Sequence, residues 1–90
     1  MNKTLNDKEY KLVKDNDGFD KEAIEEKLTE YFDDFDYVVG DWSYGKLRLK
    51  GFCNKDNKRF TEYNDYMKVD EYLEKECSYG CKYFILERIK

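Results

Sequence analysis

The chain has 90 residues, of which 42% are charged and 40% hydrophobic, and its net charge is -4. A chain of this length is expected to form a single domain, residues 1–90, that buries only about 60% of its unfolded surface. It has no histidine, which excludes the commonest general base and metal ligand and every Ser-His or Cys-His pair. No segment approaches the roughly 20 apolar residues of a membrane span, and the N-terminus lacks a signal-like apolar run, so we expect a cytoplasmic protein.

The first half of the chain predicts a strand followed by a helix. Residues 9–14 have the pattern of a strand, and the turn sequence Asp-Asn-Asp-Gly follows at 15–18. Asp20 is the expected N-cap of the helix. The apolar residues of the helix recur at helical spacing and form one buried stripe. This stripe consists of Ile24, Leu28, Tyr31, Phe32 and Phe35.

The second half predicts four strands and one short helix. Residues 36–42 and 46–53 form the second and third strands, joined by a short turn, and residues 58–63 return as a fourth. A helix over 71–77 follows, with Asp70 as its cap. Residues 81–89 form the last strand, and its unbroken apolar centre places it inside the sheet.

These elements follow one another in the order β-α-β-β-β-α-β. We therefore predict an α+β fold with a small mixed or antiparallel sheet of about five strands and with helices mainly on one face. The order of the strands within the sheet is not determined by the residues themselves.

The three cysteines, Cys53, Cys77 and Cys81, are expected to be reduced thiols. Their number is odd, and a cytoplasmic protein is kept in a reducing compartment. The Cys77-x-x-x-Cys81 spacing differs from the C-x-x-C of redox pairs, and too few ligands are present for a zinc site. The glycines match no phosphate-binding loop. We predict neither a metal nor a cofactor.

Two segments carry a family resemblance. Residues 36–52 read DYVVGDWSYGKLRLKGF and residues 77–84 read CSYGCKYF, and the Asp-Gly-Phe turn at 17–19 fits as well. Together they resemble the YutD-like family, small uncharacterised proteins of low-GC Gram-positive bacteria. The chain departs from the family pattern at Ser43 and Lys46, where that pattern has Gly and Gln. The resemblance implies a compact fold of helices and strands in a bacterial cytoplasm, and it implies no activity or catalytic residue.

The hairpin between the second and third predicted strands has two open registers. A two-residue turn at Tyr44 and Gly45 places Asp41 opposite Arg48 as a structural salt bridge, with Trp42 on the other face. A three-residue loop starting at position 43 shifts the pairing by one residue and puts Trp42 on the face of the bases. We prefer the three-residue loop because its apolar face buries no Lys or Arg. That face would consist of Tyr37, Val39, Leu47 and Leu49.

The charge distribution points to this hairpin as a binding surface. Residues 1–45 carry 13 acids and 6 bases, whereas residues 46–90 carry 8 acids and 11 bases. Aromatic side chains beside bases suit an anionic partner, either an acidic protein surface or RNA. Alternating bases on a strand also protect a sheet edge from aggregation, so the pattern alone is weak evidence for a binding surface. The predicted binding residues are Trp42, Tyr44, Lys46, Arg48 and Lys50.

A small enzyme is the alternative function. Asp41, Tyr44 and Arg48 could supply a base, an acid and an anion clamp for proton transfer or phosphoryl chemistry. This function requires the three residues to line a concave site. We favour the non-enzymatic interaction module because the sequence reveals no such cleft.

Overall fold

A computed structural model describes residues 2–76 and 81–89 of the chain. Its centre is one sheet in which every neighbouring pair of strands is antiparallel. The strands are β1 (Asn2–Leu5), β2 (Lys8–Asn16), β3 (Tyr37–Ser43), β4 (Lys46–Phe52) and β5 (Tyr83–Arg88). Their spatial order is β1-β2-β5-β3-β4, so β1 and β4 are the edges. The α+β class with a five-stranded sheet is confirmed.

Two α-helices and two 3-10 helices complete the described fold. Helix α1 (Lys21–Lys27) is followed by a 3-10 helix at Glu30–Asp34, and a second 3-10 helix at Tyr66–Lys68 leads into α2 (Val69–Glu76). The side chain of Asp20 accepts a hydrogen bond of 3.2 Å from the backbone N–H of Ala23, which confirms the predicted N-cap.

The first helix is shorter than its apolar stripe predicts. It ends at Lys27 because the side chain of Asn6 donates to the carbonyl oxygens of Glu25 and Leu28, at 2.9 Å each, in place of helical N–H groups. The chain then resumes as a 3-10 helix. Tyr31 consequently leaves the stripe and is exposed, whereas the other predicted members are buried.

Two strand predictions are wrong. Strand β1 was not expected, since its sequence Asn-Lys-Thr-Leu is mostly polar and its turn residues Asn6 and Asp7 reach positive φ without glycine. The strand expected at 58–63 is absent, because side-chain amides there hold turns. Asn57 accepts from the N–H of Arg59, and Asn64 accepts from the N–H of Thr61, each at 2.8 Å.

Strand β5 lies at the centre of the sheet, as its apolar run predicts, and Phe84, Ile85 and Leu86 are all buried. Neighbouring residues of a strand point to opposite faces, so both faces of the sheet are covered here.

The two helices pack on opposite faces, which corrects the expectation that they lie mainly on one. We call the α1 face the side where α1 and the first 3-10 helix cover Val38, Phe84 and Leu86. We call the α2 face the side where α2 and the second 3-10 helix cover Val39 and Ile85. None of the described helices is long and apolar enough to cross a membrane.

Candidate functional site

The hairpin of β3 and β4 has a two-residue turn. Ser43 pairs with Lys46, and the turn residues Tyr44 and Gly45 have φ values of 52 and 75 degrees. This is the turn geometry whose twist matches that of paired strands. The preferred three-residue loop is therefore wrong, although Tyr44 has to adopt a positive φ that usually favours Gly or Asn.

This register separates the predicted binding residues. Trp42 pairs with Leu47 and lies on the α1 face, whereas Arg48 pairs with Asp41 on the α2 face. Lys46 and Lys50 each lie two positions from Arg48 along β4, and residues two apart in a strand point to the same face, so the three bases share the α2 face. Tyr44 stands at the tip of the turn and is 101% exposed. Trp42 is thus not part of the basic surface.

Trp42 has a structural contact instead. Its indole Nε1 donates a hydrogen bond of 2.8 Å to the carbonyl oxygen of Gly18, in the turn before α1. The ring is half-buried and lines a groove of about 360 Å³ with Phe19 and Lys82. Trp42 therefore ties the hairpin to the start of α1, and this contact joins the two sequence segments Asp-Gly-Phe and Gly-Asp-Trp.

Asp41 and Arg48 form the salt bridge that the two-residue turn predicts. Asp41 is only 1% exposed, and Arg48 approaches it with two nitrogens, Nε at 3.2 Å from Oδ1 and Nη2 at 2.5 Å from Oδ2. Both carboxylate oxygens are thus occupied by a guanidinium that is itself 42% exposed. Such a two-point pair fixes the geometry of neighbouring strands.

The structure does not assemble the enzyme alternative. Tyr44 extends from the turn into solvent, while Asp41 is buried beneath Arg48. Neither Asp41 nor Arg48 lines the surface groove around Asp33 and Asn57 or the groove around Thr29. Asp41 has no exposed oxygen with which to accept a proton from a substrate.

Lys46 and Lys50 have no ion-pair partner in the described part of the chain. The paired cations there are Lys8 with Asp33, Arg48 with Asp41, Arg59 with Asp34 and Lys82 with Asp17. The ammonium of Lys50 lies 4.8 Å from the ring centroid of Tyr72 and 5.3 Å from that of Phe52. These cation–π contacts hold the Lys50 side chain against the sheet without neutralising its charge.

A groove beside β4 was not expected from the sequence. It has a volume of about 280 Å³ and runs along the outer edge of the strand. Two exposed tyrosines flank it, Tyr31 at 62% and Tyr63 at 77%. Tyr31 had been assigned to a buried helical stripe, and Tyr63 to a strand that is absent. The other side chains at its base include Phe35, Leu49 and Asn64.

The cysteine expectation is only partly correct. Cys53 is a buried thiol, as predicted. Cys81 is disulfide-bonded, which overturns the expectation for that residue, and Cys77 lies outside the described residues. The prediction used only the cysteine count and the compartment, but an odd count still permits one disulfide. In the described residues, no three His, Cys, Asp or Glu side chains are grouped so that they could hold a metal ion.

Known proteins resemble this chain over nearly its whole length. Residues 4–87 match the family described as "Putative antitoxin YutD-like". "Putative antitoxin YutD" of Bacillus subtilis (strain 168) is 42% identical over 83 residues, which cover 91% of each chain. The solution NMR structure of protein YutD from B. subtilis has a TM-score of 0.80 at 38% identity, covering 100% of this chain and 83% of that one. The resemblance found in the two sequence segments is thereby confirmed, and the chain belongs to the YutD-like family.

Proposed function

We propose that this chain is a non-enzymatic protein-binding module that acts as an antitoxin, and that β4 contacts an acidic surface of its protein partner. The matching family and the B. subtilis relative both carry the description "putative antitoxin", and we extend it to this chain. The observation that carries the contact surface is the pair Lys46 and Lys50. Both lie on one face of an edge strand, and neither has an acidic partner among the described residues.

Lys46 and Lys50 place two positive charges on one face of an edge strand, in a chain whose net charge is -4. They attract a negatively charged surface and accelerate the encounter with it. Tyr44, at the end of the same hairpin, supplies an exposed aromatic ring of the kind enriched at interface centres. Arg48 adds a third positive charge, although its guanidinium is shared with Asp41.

An acidic protein surface suits this region better than RNA does. RNA binding combines backbone neutralisation with aromatic rings on which bases stack. Trp42, whose ring was expected to stack on bases, lies on the α1 face and is hydrogen-bonded to Gly18. Helix α2 covers part of the same face and exposes Asp70, Glu71 and Glu74, which would repel a long phosphate backbone. A compact acidic patch can avoid those side chains.

The test compares two charge-reversal variants. Lys46→Glu with Lys50→Glu changes the proposed surface, and Lys55→Glu with Lys58→Glu makes the same change in net charge at two exposed lysines beyond β4. Each variant is immobilised and exposed to native cell lysate, after circular dichroism has confirmed its fold. We expect one protein to be retained by the wild type and the control but lost from the β4 variant.

Two results would overturn the proposal. Equal loss from both double variants would indicate a general effect of charge, with no specific surface on β4. A partner that disappears after nuclease treatment would identify RNA as the ligand. Trp42→Phe removes the indole hydrogen bond and leaves the α2 face unchanged, so it is expected to retain the partner.

A further inference from the structure

We infer that the outer edge of β4 is a strand-docking site, which pairs with an extended partner segment whose acidic residues alternate with apolar ones. This inference rests on the proposed function and specifies how the partner is bound. Two surface lysines alone contribute little affinity, because surface ion pairs are typically weak. A docking strand adds backbone hydrogen bonds, which give affinity independent of sequence.

The hydrogen-bonding register of the hairpin determines which backbone N–H and C=O groups of β4 point away from β3. In a two-residue hairpin the residues flanking the turn, here Ser43 and Lys46, bond to each other. Leu47, Leu49 and Gly51 therefore direct their N–H and C=O groups away from β3. No described residue forms a backbone hydrogen bond with these outward groups.

The chain itself already uses this edge at one position. The N–H of Cys53 donates to the carbonyl of Asn64 at 2.8 Å, and the carbonyl of Cys53 accepts from the N–H of Tyr66 at 3.1 Å. Cys53 follows Gly51 and Leu49 at intervals of two residues, so its backbone groups point to the same side as theirs. The two hydrogen bonds of Cys53 therefore show that backbone groups on this outer side of the chain can pair with another segment. The segment around Asp65 forms a parallel bridge to Cys53, and no other described residue outside β3 pairs with this edge.

Side chains on both faces define the docking sequence. Lys46, Arg48 and Lys50 line the α2-face side of the edge, where they favour acidic residues opposite them. On the α1-face side, the groove beside Leu49 and between Tyr31 and Tyr63 accepts apolar residues. Successive side chains of a strand point to opposite faces, so the docking segment alternates acidic and apolar residues.

A second copy of this chain is a poor occupant of the edge. Antiparallel pairing of β4 with the same strand of another molecule would set Lys46, Arg48 and Lys50 beside their own counterparts. Like charges opposite one another destabilise a strand pair. The row of bases thus disfavours self-pairing, as charged edges commonly do, and selects a segment of opposite charge.

The experiment uses a short capped peptide of alternating valine and glutamate as the probe. Its affinity for the whole chain is measured at low salt by NMR titration, together with amide hydrogen exchange. We expect slower exchange at Leu47, Leu49 and Gly51. N-methylation of the peptide amides that face β4 is expected to weaken binding at least about tenfold, because it removes the strand hydrogen bonds but keeps the charge.

A pair of variants tests the same contact from this chain. Leu49→Pro removes one outward N–H at an edge position where proline is tolerated. Leu49→Ala is the matched control for the lost side chain. We expect Leu49→Pro to weaken the peptide about tenfold more than Leu49→Ala does. If Leu49→Pro fails to fold, the N-methylated peptide decides the question alone.

Several outcomes would overturn the inference. The Val-Glu peptide could fail to bind, or the N-methylated peptide could bind equally well. The three amides could exchange at unchanged rates, or β4 could mediate self-association in sedimentation measurements. The proposed function is judged separately by lysate capture. A partner captured through Lys46 and Lys50 without protection of the β4 amides would retain that function and remove strand docking.

Discussion

On the α1 face of the sheet, a helix and a 3-10 helix cover a continuous apolar cluster, whereas on the α2 face a smaller cluster leaves the strand of bases open. The first cluster extends from Leu5 on one edge strand to Leu47 on the other. Among the described residues, the second is formed by Val39, Phe52, Val69 and Ile85. The comparison indicates that the α1 face supplies most of the folding free energy, since that energy follows buried apolar area.

The two faces also differ in what they can give to a partner. Side chains buried in the α1-face cluster are committed to packing, and truncating them would destabilise the fold. On the α2 face, Lys46 can change without loss of an apolar contact. The interior of the α1 face thus serves mainly stability, whereas the outer edge of β4 and the bases beside it are available for recognition, as is common where function sits on a rigid scaffold.

The first test of this comparison is truncation of one residue in each cluster. Phe84 is fully buried in the α1-face cluster, and Leu73 is partly buried in the α2-face cluster. We expect Phe84→Ala to lower the free energy of unfolding by about 3–5 kcal/mol. Leu73→Ala is expected to lower it by only about 1–2 kcal/mol. Urea unfolding measures both, and equal losses would contradict the assigned difference between the faces.

The second test concerns the salt bridge on the α2 face. Arg48→Met leaves the buried Asp41 carboxylate without its guanidinium, and we expect a loss of about 2–4 kcal/mol in the free energy of unfolding. Asp41→Asn is expected to cost less, about 1–2 kcal/mol, because the half-exposed Arg48 can turn to water. The reverse order would mean that Asp41 is hydrated in solution. The double variant completes the cycle and gives the coupling energy.

Strong local signals in the sequence predicted most of the fold. The unbroken apolar run of β5 placed that strand at the centre, and Asp20 marked the start of α1. Strand β1 was not predicted, because an edge strand buries few side chains and its sequence is therefore not apolar. The end of α1 was not predicted, because it depends on Asn6, which is distant in sequence and donates hydrogen bonds to the carbonyl oxygens at the end of the helix. Contacts of that kind leave no local pattern.

The hairpin register shows why the candidate site was harder to predict. The three-residue loop was preferred on the assumption that the hairpin has one buried face. In the structure Val38 is buried on one face and Val39 on the other, so an alternating pattern could not discriminate. The bases were correctly grouped on one face, but Trp42 was assigned to the wrong one. The groove at the edge of β4 is formed by segments that pack beside the strand, and hydrophobic periodicity in the sequence does not reveal such packing.

Two tyrosine rings, Tyr37 and Tyr66, stack on each other on the α2 face. The rings of Tyr37 and Tyr66 have centroids 3.5 Å apart and lie within 5 degrees of parallel. Burial raises the pKa of both phenols, and the negative charge of Glu87 adds to the rise in each pKa. The folded state therefore favours the neutral phenols, whereas in the unfolded chain a tyrosine ionises near a pKa of about 10.

The direction of the pH dependence follows from this difference. Above about pH 10 the unfolded tyrosines lose protons that the folded ones retain, so the free energy of unfolding falls as the pH rises through the folded pKa values. We expect Tyr66→Phe to flatten this decline, because phenylalanine keeps the ring contact and has no proton to lose. Urea unfolding at a series of alkaline pH values measures the slope. Tyr44→Phe, which removes a hydroxyl group from a fully exposed side chain, is the control variant. A Tyr66→Phe slope equal to that of the wild type would show that this part of the α2 face is open to water, and the two faces would then differ more than their packing indicates.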